Sequence, residues 1–173
     1  MPDGFGPREG RYDSLMGKVG RPRQLGVDHL GISVTDLARS EAFYCDVLGA
    51  DVIFRRHESE SFSGQRTVVR LGPSALDLNQ FARNEGTRFD PAHTGLDHLA
   101  FTAASREEVE NWAHWLDANG VPRSPIRDVR IDPRQDPRAE IVGAIFDFVD
   151  PDGIQLEFLF IAPDRAKVAA SSQ

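Results

Sequence analysis

Apolar and polar residues alternate along residues 26–35, GVDHLGISVT, and again along residues 95–104, GLDHLAFTAA. Each stretch has strand periodicity and runs into a segment with helical spacing. Asp36 can cap the first helix, Phe43/Val47 and Tyr44/Leu48 fall one turn apart, and Gly49 stands just past its end. The second helix opens on a capping box, Ser105 with Glu108. It runs through Val109, Trp112 and Leu116 and stops at Gly120. Strand patterns follow the first helix at 50–57, 65–71 and 74–81. After the second come a short segment near 121–126 and strand patterns at 141–149 and 153–160. Strand, helix and three strands, written twice, predict an α+β fold of two paired βαβββ modules. The expected domain spans 25–162, with module 1 at 25–84 and module 2 at 95–162. The modules should form a cupped mixed sheet, helices outside and a cavity within.

Alternation also assigns faces. Leu30, Ile32 and Val34 fall on the side a helix would cover, leaving His29, Gly31 and Ser33 towards the cavity. In the repeat, Leu99, Phe101 and Ala103 are covered while His98, Ala100 and Thr102 point away. Leu156, Phe158 and Phe160 leave Gln155 and Glu157 towards the cavity, as Leu76 and Leu78 leave Asp77 and Asn79. Two imidazoles and a carboxylate converging on one surface suit a single Zn, Fe, Mn, Ni or Co ion with open positions for substrate. His29, His98 and Glu157 are therefore the expected ligands. The turn DPDG (150–153) makes the last two strands a hairpin and places Asp147 close to opposite Glu157. A carboxylate there is a candidate acid or base, or else a rim residue capping a backbone group.

Composition narrows the partners. The chain has 173 residues, 40% hydrophobic and 27% charged, with a formal net charge of −7. That acidity argues against nucleic acid, and no apolar run is long enough to span a membrane. Cys45 is the only cysteine, so no disulfide forms within the chain. Its neighbours are not basic, and a reactive thiolate is not expected. The first residues lack an apolar signal core, which leads us to expect a cytoplasmic protein. Residues 1–24, rich in glycine and proline, and 163–173 read as flexible tails. His57, His93 and His114 read as surface residues, and Phe43, Tyr44, Trp112 and Trp115 as core. Residues 122–139 carry four prolines and five arginines. They read as a lid or binding loop without regular structure.

The stretch VDHLGISVTDLARSEAFYCDVLGADV resembles the opening of vicinal oxygen chelate proteins: a strand histidine, an aspartate before the helix, then FY and LG. FDFVDPDGIQLEF resembles their closing signature, DPDG followed by a metal-binding glutamate. The resemblance covers roughly residues 26–161. It implies the glyoxalase/bleomycin resistance/dioxygenase fold, a homodimer, and metal ligands at His29, His98 and Glu157. A fourth ligand stays open. A gap-free overlay of 73–79 on 151–157 matches Asn79 to Glu157, whereas the glyoxalase I pattern places Asp77 there. A three-residue set with Asp77 or Asn79 orienting a ligand or water is preferred. The implied activity is a glyoxalase-like lyase or isomerase acting on a small substrate that chelates the metal through adjacent oxygens, with Glu157 and Asp147 as catalytic residues. A small extradiol-type dioxygenase and a metal-free drug-sequestering protein are the alternatives. Fosfomycin-resistance transferases carry a threonine where this chain has Gly31, which argues against thiol transfer.

Overall fold

The computed structural model describes residues 26–56, 64–84, 86–131 and 139–163. The expected N-terminal tail, nearly all of the C-terminal one and His57 lie outside these residues. Module 1 runs β1 (His29–Ser33), α1 (Leu37–Ala42), β2 (Asp51–Arg56), β3 (Gln65–Leu71) and β4 (Ser74–Gln80). Module 2 runs β5 (His98–Thr102), α2 (Arg106–Ala118), β6 (Arg127–Arg130), β7 (Ile141–Val149) and β8 (Gln155–Ile161). Each module forms its own four-stranded mixed sheet, ordered β1-β4-β3-β2 and β5-β8-β7-β6. The repeat is thus an α+β fold of two βαβββ units. Within the chain the cup is split into two sheets, and β1 and β5 each end one of them.

The helix ends follow from local chemistry. Asp36 has extended backbone angles, and its carboxylate accepts the Arg39 N–H at 3.0 Å, satisfying one orphan donor of the first turn. Replacing it with alanine removes that bond; Asp36→Ala is expected to cost about 1 kcal/mol, read as a lower urea midpoint at unchanged slope. After Ala42 the helix widens into a π turn over Phe43–Val47, and Gly49 follows with a φ of 71°. That left-handed conformation suits glycine because it has no Cβ to clash. Only half of the second capping box forms. Ser105 Oγ accepts the Glu108 N–H, while the Glu108 carboxylate accepts from Asn111.

Covered faces are those that the alternation assigns. Ile32, Val34, Leu76, Leu78, Leu156 and Phe158 are buried, and the apolar faces of both modules join one core. Phe158 anchors the second half, stacked on Trp112 at 4.4 Å and on Phe148 at 5.5 Å between ring centres. Trp115 departs from expectation. It is 46% exposed and its indole N–H donates to the Val47 carbonyl, tying the two helices together. A seam of polar contacts does the same for the DPDG turn. Tyr44 donates to Asp150, and Asp152 accepts from the Thr35 N–H, the Thr35 hydroxyl and Arg39. Burial of Tyr44 near two carboxylates pushes its phenol well above the usual range, so this donor keeps its proton.

The segment 122–139 is not the structureless loop its composition suggests. Arg127–Arg130 pairs antiparallel with β7, and Arg123 bridges to Phe148. Four residues with one large apolar side chain give a weak strand signal, and the backbone of β7 recruits them as an edge. Residues 132–138 lie outside the described set. No helix among the described residues is long and apolar enough to cross a membrane.

Candidate metal site in two halves

Strand register lays the polar side chains out in rows on the face opposite each helix. In module 1, His29 pairs with Ala75, Gly31 with Asp77 and Ser33 with Asn79. In module 2, His98 pairs with Gln155, Ala100 with Glu157, and Glu157 in turn with Asp147. The histidines, Gly31, Ser33, Ala100 and Thr102 are all exposed, so both faces are open in the single chain. Small residues, Gly31 and Ala100, stand beside the two carboxylates and leave room above them.

The register separates Asp77 from Asn79. Glu157 pairs with the residue two places after His98, and Asp77 pairs with the residue two places after His29. Asp77 is therefore the structural counterpart of Glu157, and the gap-free overlay that selects Asn79 is offset by one row. Asn79 is buried to 8% exposure. Its amide N–H groups reach the Ile32 and Asp77 carbonyls, and its Oδ1 accepts Arg66 Nε at 2.7 Å. Asp77 Oδ2 lies 3.4 Å from an Arg66 nitrogen.

Of the expected ligands, one chain brings two together. His98 Nε2 lies 3.8 Å from Glu157 Oε2, a separation at which one ion can be shared after small side-chain adjustment. His29 belongs to the other sheet. No group of three His, Cys, Asp or Glu side chains able to hold a metal forms among the described residues. The expected triad does not converge within one chain, because the modules pack through their helix-covered faces and turn both histidine faces outward.

Sequence reasoning overlooked two carboxylates. Asp28 accepts the His29 Nδ1 proton at 2.9 Å, and Asp97 does the same for His98 at 2.9 Å. Each bond raises its imidazole above the ordinary value, helped by Asp77 at His29 and by Glu157 at His98. Fixing the proton on Nδ1 leaves Nε2 as the free lone pair, the tautomer that a metal takes. The signal was legible, since both repeats read Asp-His. Asp147 lies opposite Glu157, as the hairpin requires. It accepts from Ser124 Oγ at 3.1 Å and forms an ion pair with Arg127, while its own N–H donates to Ser124 Oγ. His93 and His114 are exposed. Cys45 is half-buried, with burial and the Glu41 carboxylate pushing its thiol up, as expected of an unreactive sulfhydryl.

Two βαβββ units with matched histidines and an opposed glutamate define a fold and a face, and comparison with known proteins places the fold. The chain belongs to the glyoxalase/bleomycin resistance protein/dioxygenase superfamily, whose profile it matches over residues 26–158. It is 33% identical over 96 residues to the metallothiol transferase FosB of Staphylococcus haemolyticus (strain JCSC1435), an alignment covering 56% of this chain and 61% of that protein. The chain thus spans under two thirds of the FosB proteins it matches first. Among solved structures, a glyoxylase/bleomycin resistance protein/dioxygenase domain from Frankia sp. EAN1pec superposes with a TM-score of 0.69 at 23% identity, over 82% of this chain and 95% of that one. FosX from Listeria monocytogenes, solved with Mn(II) and sulfate, gives a TM-score of 0.59 at 17% identity, over 84% and 99%.

Proposed function

We propose that this protein is a metal-dependent enzyme acting on a small molecule that chelates the ion through adjacent oxygens, and that its site is completed in a homodimer. His98 and Glu157 of one subunit and His29 of the partner subunit would hold the ion. The observation that carries the reading is the split itself. Each sheet ends on the strand that bears its histidine, and each histidine has an aspartate fixing the same tautomer. Apposing β1 of one chain to β5 of another covers two open edges and joins the half-sites. Exposed Ile53 and Phe54 in module 1 and Val149 and Ile161 in module 2 are apolar surface that such closure would cover.

The donor set of nitrogen and carboxylate oxygen suits a borderline divalent ion, and Mn(II) in FosX is compatible with that choice. When bound, the metal stabilises negative charge developing on a chelating oxygen. The chain supplies the rest. Asp28 and Asp97 orient the imidazoles, Glu157 completes the ligand set, and Asp147 moves a proton beside it. Asp77 is one methylene shorter than its counterpart Glu157 and lies against Arg66, which favours three protein ligands over four. Lyase or isomerase chemistry of the glyoxalase kind fits this arrangement best, because it needs a carboxylate for proton transfer and no second substrate site. Protein purified without chelator is expected to contain about one divalent ion per chain and to sediment as a dimer at micromolar concentration. A metal-free dimer would favour the drug-binding alternative, and a monomer with full metal content would sink the shared site.

A further inference from the structure

Module 1 contributes more than a histidine to the open face. A cavity of about 390 Å³ there is lined by His29, Asp77, Arg66 and Arg70 along with Phe54 and Ala75. Arg70 stands out. It lies in β3 in the same cross-strand row as His29, with only Ala75 between them. Paired residues on adjacent strands share a face, and two strand spacings amount to about 10 Å. The methyl group of Ala75 puts nothing in the way, so a ligand of a few ångströms reaches from the metal end of the row to the Arg70 guanidinium.

The charges around Arg70 are arranged to leave it available. Asp28 is bonded to His29, and Asp77 lies against Arg66. Asp51 is the direct cross-strand neighbour of Arg70 in β2, and no ion pair joins them. The Arg70 side chain has no charged or hydrogen-bonding partner among the described residues. Arg66, earlier in β3 on the same face and lining the same cavity, is set in place through a chain of contacts from the buried backbone. The Ile32 and Asp77 carbonyls hold the Asn79 amide, and Asn79 Oδ1 accepts Arg66 Nε. Arg66 also lines the same cavity as His29. A sheet face that keeps one exposed guanidinium unpaired, a second anchored on the wall of the same cavity, and a metal-type histidine at the end of the row is built for an anion.

We propose that Arg70 is a specificity-determining residue that binds an oxyanion of the substrate, a carboxylate or a phosphoryl group, about one short molecule's length from the chelating oxygens. Arg66 is a second cation on the wall of the same cavity. This deepens the function proposed above and rests on that reading for the metal end only. An arginine presents two parallel N–H donors that match either oxyanion.

The test separates the two claims. Inorganic phosphate and acetate are titrated into the purified protein, once after chelator treatment and once metal-loaded, with binding followed by chemical-shift changes of the arginine Nε–H resonances. Metal content is measured on the same samples. Wild-type protein is expected to bind at least one of the two anions without metal, and Arg70→Ala to weaken that binding roughly 10- to 100-fold, the scale of a charge-assisted hydrogen bond. Arg70→Lys should recover part of it. Arg106→Ala, a cation on α2 paired with Asp128 and Glu110, removes the same charge and should leave binding unchanged. Preference for phosphate or for acetate then names the oxyanion. Equal affinity of Arg70→Ala and wild type overturns the proposal, as does anion binding that appears only with metal and ignores Arg70. Failure to load metal, with Arg70-dependent anion binding intact, overturns the metal reading and leaves the anion site standing.

Discussion

Chains carrying His29→Ala and chains carrying His98→Ala should each lose the metal as homodimers and regain one ion per dimer when the two are co-assembled. The expectation follows from the division of the ligands between two sheets that turn their histidine faces outward. In a mixed dimer one site lacks both histidines and the other keeps His29 from one chain with His98 and Glu157 from its partner. Residues that merely orient a metal ligand cost about 10–100-fold in affinity when removed, so loss of a direct ligand should exceed about 100-fold in either homodimer. Metal analysis of the purified mixed dimer is the measurement. A ratio near zero means that the ligands are not shared in this way, whatever the activity of the wild type.

Turnover in Asp147→Asn should fall on the order of 10²–10⁴-fold with metal content unchanged, the usual contribution of a general acid or base. Asp147 is paired across the hairpin with Glu157, on the same face, and so stands beside the proposed ion without belonging to its ligand set. Its contacts with Ser124 and Arg127 fix the carboxylate in place. Asparagine keeps the acceptor for Ser124 and removes the proton-carrying group, so a structural role alone would leave turnover close to wild type. The pH profile distinguishes the two, because loss of a base also removes the corresponding limb of the rate curve. Loss of metal in this variant would instead make Asp147 a ligand.

The doubled pattern carried most of the architecture. His29 and His98 sit at equivalent places after Val27 and Leu96, and the strand at 65–71 and the strand at 141–149 begin and end where alternation puts them. These features are local, since side-chain direction repeats every two residues in a strand and helix ends depend on the capping residue itself. The segment 127–130 was illegible for the complementary reason: its strand exists because β7 offers it unpaired backbone groups.

By itself the sequence determined which side chains share a face: His29 with Asp77, His98 with Glu157 and Asp147, and the apolar residues between them with the core. Asp-His in both repeats also carried the tautomer of each imidazole, although its meaning emerges only when the 2.9 Å contacts are seen. Tertiary structure decided what periodicity cannot encode. Strand pairing made Asp77, not Asn79, the counterpart of Glu157, because register is a relation between two distant segments and a one-row slip leaves the pattern of either unchanged. Packing of the two modules through their helices, fixed by Trp115 on Val47 and by Tyr44 and Asp152 across the seam, decided that the two histidine faces turn apart within one chain. Residue spacing is blind to that choice, since the same two modules could bury the same apolar faces with their histidines turned together or apart.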